Sequence, residues 1–265
     1  KDRIESQILT HYPKTIDAAM TITEQEADIA SRQLSLVKTG DLIKRLIEQV
    51  SFEARASELV DKKSGVSARL SISALENAYS AAERRAIINK EKETQVWVND
   101  LVGIIPSITG KIELVYEGEQ EGPFQVAMNL VDKAIRSLFV SYFPNPDSLK
   151  KRKGAQPAEN PYRSIQSWFD KGNTLNLLFN MTDAERIQSL YAVDGLHALV
   201  KKSFKQAGEK ETALLMEFVL HGLSAYSMIS KKIVDNKIEF KDLMGSMLNF
   251  GNASAFSDEE MEKED

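Results

Sequence analysis

The sequence contains no cysteine. That excludes disulfides, thiolate metal sites and cysteine nucleophiles, and it fits a cytoplasmic setting. No apolar run approaches the roughly 18 residues of a membrane span, so no membrane partner is expected. Only three histidines occur, His11, His197 and His221. None stands at a repeated metal-ligand spacing from another histidine or a carboxylate, so a metal site is not expected. His221 lies in an apolar helical stretch and reads as a hydrogen-bonded core residue. The formal net charge of −5 argues against a dominant nucleic-acid surface. The start, "KDRIESQILTHYP", has neither an initiator Met nor a signal-peptide pattern, and reads as cut from something longer.

What the chain does have is helical periodicity. "TITEQEADIASRQL" predicts a helix capped by Thr21 or Thr23. In "TGDLIKRLIEQVSFEARASELV", Leu42, Ile43, Leu46, Ile47, Val50 and Ala54 fall on one face. Lys62–Gly65 reads as a turn. "SISALENAYSAAERRAIINKEKE" predicts a helix with an inner stripe of Leu75, Ala78, Tyr79, Ala82 and Ala86, capped by Ser71 or Ser73. Thr94–Val98 suits a short extended piece, and "PFQVAMNLVDKAIRSLFVSYF" a long amphipathic helix. Beyond it, "YRSIQSWFDKG", "MTDAERIQSLYAV" with a Thr182 cap, "DGLHALVKKSF", "ETALLMEFVLHGLSAYSMIS" and "EFKDLMGSML" all read as helices. The fold class is mainly α with two or three short strands.

Composition divides this chain into five parts. Residues 1–93 and 94–144 precede a polar, proline-rich linker at 145–161 that carries the basic run "KKRKG". A helical domain at 162–250 and a disordered acidic tail at 251–265 follow. Trp168 and Phe169 read as core anchors of the helical domain. Arg84 and Arg85, adjacent on one helix, point about 100° apart and read as surface charge.

One arginine stands apart. In "SGVSARLSIS", Arg69 falls in the first turn of a helix, where the macrodipole favours anions and disfavours cations. Its neighbours, with "KDRI" at 1–4 and "THYP" at 10–13, resemble the C-terminal part of AAA+ ATPases of the MoxR and magnesium-chelatase small-subunit type. In that family a "DR" box and a "YP" pair precede a helical lid opened by a "GxSxR" stretch. Asp2, Arg3, Tyr12 and Pro13 match the first, with Ile4 in place of the usual Phe. Gly65, Ser67 and Arg69 match the second. The resemblance covers residues 1–90. It implies a helical lid bundle followed by a further helical domain. It makes Arg69 the sensor-2 residue that contacts the terminal phosphate of ATP, and Arg3 an arginine-finger candidate at a subunit boundary. A guanidinium suits both tasks, being always charged and able to make forked bonds to phosphate oxygens.

The rest of an ATP site is missing. A P-loop needs GxxxxGK[ST], and "GIIPSITGKI" at 103–112 has the wrong spacing. No Walker B run occurs. By resemblance the complete protein would use ATP and Mg²⁺ in a homo-oligomeric ring, a hexamer, to remodel a partner protein or insert a metal. This chain alone would bind neither ATP nor Mg²⁺. The alternative is a non-catalytic helical module that binds other proteins.

Overall fold

The computed structural model describes residues 9–149 and 160–243. The expected arginine finger Arg3, its neighbour Asp2, the "KKRKG" run and the acidic tail lie outside the described residues. Those described form eleven α-helices and five short strands in two small sheets.

Helix α1 (Ile16–Glu26) starts six residues before a Thr21 cap would place it, and the single helix expected over 21–34 is interrupted at residues 27–30. Thr15 caps it, accepting a hydrogen bond from the Ala18 N–H, while Thr23 is buried within the helix. A short α2 (Ser31–Leu36) leads into strand β1 (Val37–Lys38). Helix α3 (Asp41–Ala56) buries the predicted stripe from Leu42 to Ala54.

Helix α4 (Arg69–Asn89) begins at Arg69 itself. Ser71 and Ser73 are therefore interior residues and cap nothing. Ser71 instead points inward, donating to Glu48 at 2.8 Å and meeting the Ser51 hydroxyl at 2.7 Å. The alanines Ala74, Ala78, Ala82 and Ala86 are fully buried. Such small side chains let neighbouring backbones approach closely, and a Cβ on Gly103 would lie 2.9 Å from that of Ala81.

After α4, strand β2 (Thr94–Gln95) pairs in parallel with β1. A 3₁₀ turn (Val98–Ile104) and α5 (Ile105–Thr109) pack on α4; α6 (Tyr116–Glu121) then leads to α7 (Pro123–Tyr142). Helix α7 packs on α3 and on α11 (Glu209–Ala225). At the second contact Gly222 faces Phe139.

Helix α8 (Arg163–Asp170) follows the undescribed stretch, and Tyr162 before it is fully buried, its hydroxyl donating to the Pro144 carbonyl. Phe169 is buried too, and Trp168 packs edge-on against it. Strand β3 (Leu175–Leu178), α9 (Asp183–Tyr191) and α10 (Leu196–Ser203) complete the approach to α11. Thr182 caps α9 as expected, in a reciprocal pair with Glu185.

The helix expected over "EFKDLMGSML" (239–248) is contradicted at its start, where Lys237–Lys241 is strand β5, paired with β4 (Ser230–Val234) and β3; residues 244–248 lie outside the described residues. The stretch "KIEFK" alternates charged and apolar residues, and Ile238 and Phe240 are the buried pair. That is period two, the signature of a half-buried strand. A connected cluster of buried apolar side chains runs from Val37 to Phe240 through the segments between.

Candidate functional site

The loop that leads into α4 is held from two sides. Gly65, at φ +73, turns the chain, a conformation that costs glycine little. On one side Ser67 N–H donates to the Lys111 carbonyl at 3.1 Å, and Val66 bridges Ile112. On the other side stands Tyr12. Its hydroxyl donates to the Val66 carbonyl at 2.7 Å and accepts from the Val66 N–H at 3.2 Å. The "YP" pair and the "GxSxR" stretch, over fifty residues apart in sequence, thus meet through one hydroxyl. The Arg55 guanidinium lies over the Tyr12 ring, 4.2 Å from its centroid.

Arg69 emerges from this loop as the first residue of α4. Ser67 Oγ accepts its N–H at 3.2 Å. Its side chain is exposed, and among the described residues no carboxylate pairs with it. The first turn of α4 holds no acidic residue to offset the charge. A cavity of about 560 Å³ adjoins the loop, lined by Tyr12, Gly65, Ser67, Lys111 and their neighbours.

The far end of α4 holds charge of another kind. Arg85 is only 2% exposed, which overturns its reading as surface charge; Arg84 is exposed. Arg85 pairs with Asp183 at 3.0 Å and Asp100 at 3.2 Å, and donates to the Gln95 carbonyl at 2.8 Å. Burial opposes its charge, but the two aspartates more than offset this and hold its pKa above the ordinary value. Burial likewise works against the Asp183 carboxylate. The Trp97 indole N–H at 2.7 Å, the Thr94 hydroxyl at 2.8 Å, Arg85 and Lys210 outweigh it, and its pKa falls.

A second buried pair adjoins the first. Arg186 meets Glu217 at 3.1 Å, both fully buried, and Arg186 also lies over the face of Trp97. Asn99 is best satisfied with its amide nitrogen toward Glu217 and His221 and its oxygen toward Arg186. Burial pushes the Glu217 carboxyl up to about 6 despite Arg186. Burial, with Lys231 and Arg186 nearby, drives the His221 pKa well below its ordinary value. His221 is thus the buried, hydrogen-bonded core residue expected.

These two networks escaped sequence reading. Arg85, Asp100, Asp183, Arg186 and Glu217 are ordinary charged residues spread over α4, the 3₁₀ turn, α9 and α11, and little in their local sequence marks them for burial. The faint signal is Asp183 and Arg186, three apart on α9, which therefore share a face. Above the networks opens a cleft of about 710 Å³ between α4, the 3₁₀ turn and the β4–β5 hairpin, with Arg84, Asn180 and Asn236 on its wall. Among the described residues, no group of three or more His, Asp or Glu is arranged to hold a metal, and no helix is long and apolar enough to cross a membrane.

No family model, no curated protein and no solved structure matches the chain.

Proposed function

We propose that this chain is the lid and C-terminal helical part of an AAA+ ATPase of the MoxR or magnesium-chelatase-like type, with Arg69 contacting the terminal phosphate of bound ATP. The observation that carries this reading is the meeting of its two motif stretches. Tyr12 of the "YP" pair bonds the backbone of the "GxSxR" loop, and the next helix opens on Arg69, which has no carboxylate partner among the described residues. An exposed guanidinium at a helix start suits an anion supplied from outside. The helix dipole favours the same anion.

In this reading ATP and Mg²⁺ sit mainly on residues this chain does not contain, and Arg69 adds its forked donors to the γ-phosphate. The work done would be remodelling of a partner protein or metal insertion, in a homo-oligomeric ring. Arg3 keeps its place as the candidate finger for a neighbouring subunit. The cleft beside Arg84 favours the second reading, a helical module that takes a protein partner without chemistry of its own.

The test is ATP turnover by the complete product of the reading frame. Arg69→Ala should lower turnover at least tenfold, the equivalent of losing one charge-assisted phosphate contact, with the circular dichroism spectrum unchanged. Unaltered turnover in that variant removes Arg69 from the site. Absence of turnover in the parent favours the non-catalytic module.

A further inference from the structure

We infer that Tyr12 is a positioning residue for Arg69: its hydroxyl fixes the Val66 peptide and thereby sets where the Arg69 guanidinium meets the phosphate. This rests on the ATP-sensing reading of Arg69.

The geometry is specific. One hydroxyl serves Val66 twice, as donor to its carbonyl at 2.7 Å and as acceptor from its N–H at 3.2 Å. Val66 lies three residues before Arg69, and the Ser67 hydroxyl between them accepts the Arg69 N–H. A shift at Val66 therefore passes directly to the helix start. Gly65 is matched to this arrangement. A Cβ there would lie 3.0 Å from the Tyr12 hydroxyl, at a φ of +73 that other residues avoid. The Tyr12 ring is itself steadied by Arg55, which reaches over it from the last turn of α3. Tyr12 thus links α3 to the loop that launches α4.

A contact that only holds the fold together would affect every ligand alike. A contact that aims Arg69 affects only nucleotides with a γ-phosphate. Tyr12→Phe keeps the ring and its stacking under Arg55 but leaves both polar groups of Val66 without the hydroxyl. The experiment measures binding of ATPγS and of ADP, each with Mg²⁺, by calorimetry. It uses the complete product of the reading frame in the parent, Tyr12→Phe and Arg69→Ala forms. Tyr12→Phe should weaken ATPγS binding roughly tenfold, the effect of about one lost hydrogen bond, and leave ADP binding within about twofold. Replacement of Tyr12 by 4-aminophenylalanine, which restores a donor, should recover ATPγS binding.

Should Tyr12→Phe not fold, tetrafluorotyrosine at position 12 is close in shape and has a more acidic hydroxyl. ATPγS affinity, but not ADP affinity, should then fall as that hydroxyl ionises and can no longer donate to Val66. Equal loss for both nucleotides, or no loss while Arg69→Ala weakens ATPγS, overturns the role of Tyr12 and leaves Arg69 as the sensor. If the parent does not bind ATPγS, or Arg69→Ala changes nothing, the sensor reading fails and this inference falls with it.

Discussion

At Glu217 burial and ion pairing pull in opposite directions, and burial wins. Its carboxyl is pushed up to about 6, above the ordinary value of 4.5. The native state therefore holds this proton more tightly than the unfolded chain does. The stability from this group is fully present below pH 4.5 and lost as pH rises through 6. Glu217→Gln fixes the neutral form, so its unfolding free energy should lack that decline. Urea unfolding of both proteins at pH 4.5 and pH 7 checks this, and parallel pH dependences would contradict it. Asp183 has the opposite sign. Its pKa is depressed, so its contribution is present above its ordinary 3.8 and lost as pH falls below that. Arg85 holds that carboxylate. Arg85→Met would strand Asp183 and Asp100 and should cost about 3–5 kcal/mol in chemical denaturation. Arg85→Lys should recover little, since one ammonium cannot reproduce the guanidinium fork to both aspartates and Gln95. A loss under 1 kcal/mol in Arg85→Met would show that the pair is not coupled to stability.

The helices test a different property, how closely they pack. A Cβ on Gly222 would fall 2.1 Å from a ring carbon of Phe139, far inside contact distance. Gly222→Ala must therefore push α11 from α7. Alanine gains up to about 1 kcal/mol in helix propensity, but overpacking costs about 1–3 kcal/mol, and the melting temperature should fall. A rise would mean that Phe139 can turn aside. At this scale the sequence was most readable where the pattern is long. The stripe of α3, the length of α7 and the Thr182 cap all follow from periodicity and local hydrogen bonding. Short-range signals did worse. Thr15 has the same capping chemistry as Thr21 and Thr23, so the local signal alone does not choose among them. Strand β5 has period two over five residues, too few to outweigh helical neighbours. The buried charges left only the faint trace of Asp183 and Arg186 sharing a face of α9, because each of their partners lies on another element.

Across the whole molecule, α4 joins two unlike ends. Its first residue is a cation with no carboxylate partner among the described residues, beside a loop pinned by Tyr12; its fifth turn is locked by Arg85 to the 3₁₀ turn and α9. A single rigid helix thus connects the proposed phosphate contact to the C-terminal helices, which fits a lid whose position is passed on to a partner-binding region. The candidate site itself was legible in part. The turn at Gly65 and the helix start at Arg69 were legible, but the contact of Tyr12 with Val66 spans 54 positions and needed the fold. The missing P-loop is the point on which the account turns. The most direct measurement is the intact mass and peptide map of this protein isolated from its source cells. The account predicts a chain well above 29.7 kDa, whose additional sequence carries GxxxxGK[ST] after a strand. A species of 29.7 kDa, or a longer one without that motif, would contradict it and leave a helical protein-binding module.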